Sequence, residues 1–310
     1  MPDSLPGDAT PALGAPTSRA TLAGVPFIVA SAVVFALLWA LIRYASRELH
    51  PLQMVFYRQL VGMLAVLPLL RHGGLRLLRT HRLGGHMVRA FAGVTAAYLT
   101  FFAIALIPLA DAVAVSYAAP LFTSLAAVAI LREKLRVRRL VAVAVGFLGM
   151  LLVLRPGLGT MSWGHAVALA AAVFVAVSMI SIRQLTSTEH PRTIVFYNFC
   201  LALPISFVAV LPIWHWPSAW QLAMLVAIGL GSFLGQMLLV RAFALSEASA
   251  LMPFDFLRLV LAAALGFALF GERVDGFTLA GAFVILATTV YIAHRERAER
   301  RRPKSLAKPL

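Results

Sequence analysis

The 310 residues carry 27 lysines and arginines against 12 acidic residues, a net charge of +15, yet only 13% of the chain is charged and 61% is hydrophobic. With a mean hydropathy of +0.89, the chain has too little polar surface to cover a water-soluble core of this size. Its basic residues fall in short segments between apolar runs, which points to a membrane surface rather than to nucleic acid.

The first 23 residues are rich in Ala, Pro, Gly, Ser and Thr, with Arg19 as the only base. They read as a disordered cytoplasmic tail, because a signal peptide would want positive charge ahead of its apolar stretch. A helix needs about 20 apolar residues to cross about 30 Å of hydrocarbon. Ten segments qualify: 24–42, 53–70, 86–107, 111–131 and 137–154, then 162–182, 193–211, 219–240, 249–270 and 276–292. Trp214, Trp216 and Trp220 cluster where the seventh gives way to the eighth, at the interfacial level where tryptophan collects. A basic tail, 295–310, reads as an anchor on anionic lipid. Cys200, the single cysteine, lies in an apolar run, so no intramolecular disulfide or thiolate metal site can be built.

The chain repeats itself. His50-Pro51 followed by Val55-Phe56-Tyr57 recurs as His190-Pro191 followed by Val195-Phe196-Tyr197, a shift of 140. Ala103, Ala105 and Leu106 match Ala242, Ala244 and Leu245 at a shift of 139, and Glu133-Lys134 matches Glu272-Arg273 at the same shift. Separate regions that agree to within one residue indicate two copies of a five-helix unit, 24–157 and 158–294. Five is odd, so the second copy crosses the membrane in the opposite sense. The expected architecture is an all-α membrane protein of ten transmembrane helices, arranged as two inverted five-helix repeats. The charges sort accordingly: 21 Lys/Arg lie on the side of both termini, four on the other (Arg43, Arg47, Arg155, Arg273) and two within spans. That asymmetry places both termini in the cytoplasm of a bacterial-type inner membrane.

An ionisable group at a helix centre in hydrocarbon costs about 2.5–3.5 kcal/mol on insertion scales, so each one inside a span needs an account. Arg258 is about 13 Å into the ninth span by helical rise, close to the midplane. Asp255, three residues earlier, is near enough to pair with it. The pair is either a structural lock or a polar patch facing solute, and the repeat favours solute. At a shift of 139 the equivalents are Ser116 and Ala119, so the scaffold was copied while the charges stand in one copy only. Arg58, equivalent to Asn198, is about 8 Å from the outer end, where snorkelling to the headgroups competes with a role in binding. Asp111 and Glu247 open spans, where carboxylates satisfy free backbone N–H groups; proton coupling is the other reading. Glu133 and Glu272 close the equivalent fourth and ninth spans and read as structural end-markers.

Polarity ranks the helices. The fifth and tenth spans are almost wholly apolar, with Gly146, Gly149 and Gly281 for close packing, and are expected at the periphery. The fourth carries Ser116, Tyr117, Thr123 and Ser124 with Pro120 mid-helix, and the ninth carries Pro253 ahead of the charged pair. Proline permits a kink, so these two are the expected cavity walls and moving parts. Gly229, Gly231 and Gly235 thin the eighth span for a close neighbour. Trp39, Tyr98, Phe101, Phe102, Tyr117 and Trp163 are the aromatics of interest, and would suit a substrate with a flat or apolar part. The expected substrate-binding set is Arg258, Asp255, Arg58, Tyr98, Ser116, Tyr117 and Trp163.

The order and spacing of several short stretches resemble the drug/metabolite transporter superfamily, specifically its EamA-type carriers. They are Phe56-Tyr57-Arg58, Pro108-Leu109-Ala110-Asp111-Ala112, Ala119-Pro120-Leu121-Phe122, Arg132-Glu133, Gly146-Phe147-Leu148-Gly149 leading to Arg155-Pro156-Gly157, Pro253-Phe254-Asp255 and Phe270-Gly271-Glu272. The match spans nearly all of 24–294. One departure is Arg132, where many relatives have glycine; the second copy keeps Gly271. The resemblance implies a ten-helix basket with the substrate site between the halves, working by alternating access. It also implies relatives that carry riboflavin, S-adenosylmethionine, amino acids or metallophores.

The expected function is transport of a small amphipathic metabolite (an amino-acid-derived compound, a metallophore or a flavin-like molecule), with export as the first expectation. Uptake of riboflavin or S-adenosylmethionine is the alternative. A membrane enzyme finds no His-Glu-x-x-His or Gly-x-Ser-x-Gly motif here, and a channel finds no ring-like selectivity element. No cofactor or metal is expected. The expected partners are a small-molecule substrate and the lipid bilayer, with proton coupling open and nucleic acid excluded; the sequence leaves oligomeric state undetermined.

Overall fold

The structure, a computed structural model, describes residues 23–73, 80–131, 137–154, 162–186, 188, 189, 191–246, 251, 254–273 and 275–300. Among them the regular elements are helices: α1 (Val25–Ala45), α2 (Pro51–Gly73), α3 (Leu83–Leu106), α4 (Leu109–Ser116), α5 (Ala119–Leu131) and α6 (Val137–Leu154). There follow α7 (Trp163–Leu185), α8 (Pro191–Val210), α9 (Ala219–Leu245), α10 (Leu257–Phe270) and α11 (Gly276–Arg300). By length and composition six stretches could cross a membrane: 25–45, 83–106, 109–127, 163–185, 193–213 and 219–243; 51–67, 141–154, 257–270 and 276–291 are shorter apolar helices.

Side-chain sorting confirms the medium. Large apolar groups face outward, among them Phe267 (66% exposed), Val208, Phe283, Leu148 and Phe91, while much of the buried interior is alanine. In water such a surface would be an aggregation hazard; in a bilayer it meets acyl chains, and small interior residues let helices approach. The chain is a multi-pass membrane protein.

The packing pairs match when the two halves are exchanged. The α3–α7 contact corresponds to α9–α1, α2–α9 to α8–α3, and α1–α10 to α7–α5, while α2–α8 and α6–α11 are contacts between equivalents. Glycine makes the closest of these possible. A Cβ on Gly149 would lie 2.9 Å from the Gly281 carbonyl oxygen, and one on Gly281 would strike the Gly149 carbonyl, so α6 and α11 cross backbone to backbone. Gly229 meets Val61 of α2, while Gly231 and Gly235 meet Leu38 and Phe35 of α1, which is the packing use anticipated for the eighth span.

The fourth span departs from the expected single helix. It breaks after Ser116 into α4 and α5, joined by a tight turn in which Tyr117 N–H donates to the Ala114 carbonyl (3.2 Å) and Ala118 N–H to that of Val115 (2.9 Å). Pro120 explains the break: its ring crowds the carbonyl four residues back, at Ser116, and it has no N–H to continue the ladder. α10 likewise starts only at Leu257, after a turn at Phe256. Pro253, expected to cause that kink, lies outside the described residues.

Gly281→Leu should overpack the α6–α11 crossing and destabilise the protein by about 1–3 kcal/mol, read as a lower melting temperature in detergent. Gly276→Ala, where an added Cβ meets nothing within 4 Å, should leave melting nearly unchanged.

Candidate functional site

The two breaks meet. Tyr117, at the turn between α4 and α5, stacks on Phe256, at the turn before α10, with ring centroids 6.4 Å apart and planes 29° from parallel. These residues are equivalents in the repeat, separated by 139 positions. The Tyr117 hydroxyl donates to the backbone carbonyl of Asp255 at 2.9 Å, so it serves a group in the broken ninth segment. Unpaired carbonyls are costly away from water, and this bond offsets part of that cost.

Arg258 sits one turn beyond. Its Nη2 lies 3.3 Å from Asp255 Oδ2, the i,i+3 pairing anticipated from the sequence. The guanidinium carbon is 5.1 Å from the Tyr117 ring centroid, 5.7 Å from that of Trp39 and 6.0 Å from that of Phe35. Cation–π contacts of this kind contribute about 0.5–2 kcal/mol each, more where water is excluded. The side chains of Arg258 and Asp255 are only 17% and 15% exposed. Arg258 Nε is buried and has no hydrogen-bond partner among the described residues. The result is a cation with one carboxylate neighbour, three ring faces and a donor to spare, where α1, α4–α5 and α10 converge.

Other expected site residues are distributed more widely. Ser116, at the end of α4, turns its hydroxyl onto the Val113 carbonyl at 2.7 Å. Tyr98 on α3 directs its hydroxyl to the Ser206 carbonyl of α8 at a long 3.5 Å. Arg58 is half-buried on α2 and makes no ion pair among the described residues. Trp163 is 78% exposed at the first turn of α7, and the structure does not bring it to Arg258. Phe35 and Phe256 are the members that sequence reasoning missed.

The end of the bundle carrying Arg43 corrects a second expectation. Asp111 does not cap its own helix. The N–H of Leu109, first residue of α4, donates instead to Glu272 Oε2 at 2.8 Å. Glu272 Oε1 pairs with Arg43 Nη2 at 3.2 Å, and Arg43 Nη1 donates to the Ile104 carbonyl at 2.8 Å. Glu272 is thus more than an end-marker: it ties α1, α3, α4 and the end of α10 together. Asp111 faces Thr278 and His165. Glu247 and Glu133 lie outside the described residues. No group of three or more His, Cys, Asp or Glu placed to hold a metal occurs among the described residues.

Tyr117→Phe should keep the rings over Arg258 and lose the bond to the Asp255 carbonyl, lowering stability by about 1 kcal/mol. Tyr117→Ala should cost about 3–5 kcal/mol, the scale of a large aromatic removed from a packed site. Thermal denaturation of the purified variants measures both.

Comparison with known proteins identifies the family. The profile of the EamA-like transporter family matches the chain twice, over residues 22–155 and 162–293. The riboflavin transporter of Vibrio cholerae is 29% identical over 292 residues, which cover 92% of this chain and 98% of that protein. The S-adenosylmethionine uptake transporter of Rickettsia prowazekii is 29% identical over 89% of this chain and 94% of its own. The pseudopaline exporter CntI of Pseudomonas aeruginosa is 30% identical over 88% and 97% respectively. A solved crystal structure superposes with a TM-score of 0.58 at 21% identity, covering 92% of this chain and all of that one, a likeness of fold.

Proposed function

The chain belongs to the EamA-like transporter family, and from that premise we propose that it carries a small amphipathic metabolite with an anionic group across a bacterial inner membrane by alternating access. The observation that carries this reading is the Arg258 guanidinium at the meeting of two broken helices, with Nε unpartnered among the described residues and the rings of Tyr117, Trp39 and Phe35 within 6.0 Å of its carbon. An arriving anion competes with Asp255 for the guanidinium fork, and a flat group finds Trp39 and Tyr117 beside it. Ser116 stands at the same break, and Arg58 and Tyr98 would extend the path on neighbouring helices.

The mechanism rests on two inverted five-helix units, 24–157 and 158–294, making ten spans flanked by the tails 1–23 and 295–310. The exchange of packing partners between halves supports this arrangement, as does the sorting of 21 basic residues to the side of both termini, which we assign to the cytoplasm. Two equivalent breaks in contact form a hinge: rocking one unit against the other shifts α4–α5 relative to α10 and exposes Arg258 to one side, then the other. Relatives named for flavin, S-adenosylmethionine and pseudopaline transport define the solutes to try, and their names cover both directions.

The test is counterflow into liposomes holding the purified full chain, screened against riboflavin, S-adenosylmethionine, aromatic amino acids and carboxylate-rich metallophores. One of these solutes should show saturable counterflow. Arg258→Gln should lower it at least tenfold, equivalent to about 1.4 kcal/mol of lost stabilisation, while the melting temperature shows the variant folded. Arg258→Lys should recover only part, since an ammonium keeps the charge without the planar fork. Full counterflow in folded Arg258→Gln would remove this site from the account.

A further inference from the structure

Two polar side chains near the start of α3 are buried with bonding groups unmet. His86 is 1% exposed, and neither of its ring nitrogens has a hydrogen-bond partner among the described residues. Its ring stacks on Tyr197 of α8, with centroids 4.8 Å apart and planes 29° from parallel. Arg89, one turn on, donates from Nη1 to the Ile194 carbonyl at 2.6 Å, while its buried Nε donates to no described residue. No described carboxylate pairs with this guanidinium. Glu189, just beyond α7, accepts the Thr80 hydroxyl at 2.7 Å instead. Unmet donors and an uncompensated charge are costly away from water.

Packing does not ask for either residue. At the 139-residue shift their equivalents are Leu225 and Ile228 of α9, both fully buried. The other copy therefore fills the same face with aliphatic groups. A trapped water would meet the imidazole and Nε, but it would leave the charge on Arg89 unanswered. An oxyanion answers both. It accepts from Nε–H and from whichever ring nitrogen carries hydrogen, with the Tyr197 ring alongside.

We propose that His86 and Arg89 form a second solute subsite, at the end of the bundle assigned to the cytoplasm, which takes a carboxylate or phosphate group of the carried metabolite before or after Arg258 does. Arg258 Nε is unpartnered in the same way, so two guanidinium groups on different helices offer the same donor. A lipid headgroup shares the phosphate chemistry, but placement favours solute. Met87, Val88 and Phe91 make the outward face of α3, each more than half exposed, whereas the His86 ring lies against α8. Gly93, seven residues on, returns to the His86 face. A Cβ there would lie 3.6 Å from Ser178 Oγ of α7 and 3.7 Å from Asn198 Oδ1 of α8, so polar groups continue along α3 into the bundle.

The subsite rests on the transport reading for its purpose, yet inorganic phosphate probes it without transport. The full chain carrying Arg258→Gln, in neutral detergent, takes the other guanidinium out of the measurement. Phosphate titrated at constant ionic strength should raise its melting temperature saturably. Arg89→Gln and His86→Leu should each weaken the apparent affinity about tenfold, the scale of one charge-assisted bond. Without phosphate, His86→Leu should melt no lower than its parent, since leucine is what the other copy buries there. The phosphate shift should be equal in nanodiscs of phosphatidylcholine and in nanodiscs containing phosphatidylglycerol. No shift, a shift that both substitutions leave intact, or an early-melting His86→Leu would overturn the proposal. Loss of the shift in phosphatidylglycerol alone would assign the site to lipid and overturn it too. With a counterflow solute in hand, Arg89→Gln should raise the half-saturating concentration on the cytoplasmic face; an equal rise on both faces would overturn the placement. Failure of counterflow would instead count against the transport reading.

Discussion

A guanidinium inside an apolar bundle must find negative charge, ring faces or water, and that requirement organises the middle of this molecule. Arg258 has Asp255 one turn away and Tyr117, Trp39 and Phe35 about it. Three helices must converge to supply those groups, and two of them are interrupted where they do so. Interruption is costly in hydrocarbon because it leaves carbonyls without partners. The Tyr117 hydroxyl answers part of that cost by binding the Asp255 carbonyl, so a single residue completes both the cation's surroundings and the broken backbone.

The rest of the bundle is what lets those interruptions meet. Lipid tails are as apolar as leucine, so helices in a membrane gain little from hydrophobic burial and depend on close packing. Glycines supply it at the α6–α11 crossing and along α9 against α1 and α2. At one end, Glu272 draws four elements onto Arg43 and the first amide of α4. Closely packed glycine crossings beside polar, broken elements are a division of labour suited to a carrier, whose moving parts have to be held by parts that stay packed.

Much of this was legible in the chain. The duplicated unit showed because short polar and aromatic words recur at a near-constant shift, and Pro120 signalled a kink in the fourth span, where the helix in fact breaks completely after Ser116. Pairing of Arg258 with Asp255 followed from i,i+3 geometry. Phe35 could not be singled out, since one phenylalanine among 20 in apolar helices carries no signal of its own. Phe256 could have been found by applying the 139-residue shift to Tyr117. Asp111 misled because a carboxylate at a helix start ordinarily caps it; here a glutamate 163 positions away in sequence does so, a tertiary contact that no local pattern announces.

The central claim is that Arg258 lies where solute passes, rather than in a sealed structural lock. Cys200 is the only cysteine, so Cys200→Ser with Phe35→Cys places one thiol beside the guanidinium. Labelling that thiol with a membrane-impermeant maleimide, applied to each face of sealed vesicles in turn, measures access directly. The account predicts reaction from both faces and protection by the transported solute. No reaction from either face, in a folded protein, would contradict it.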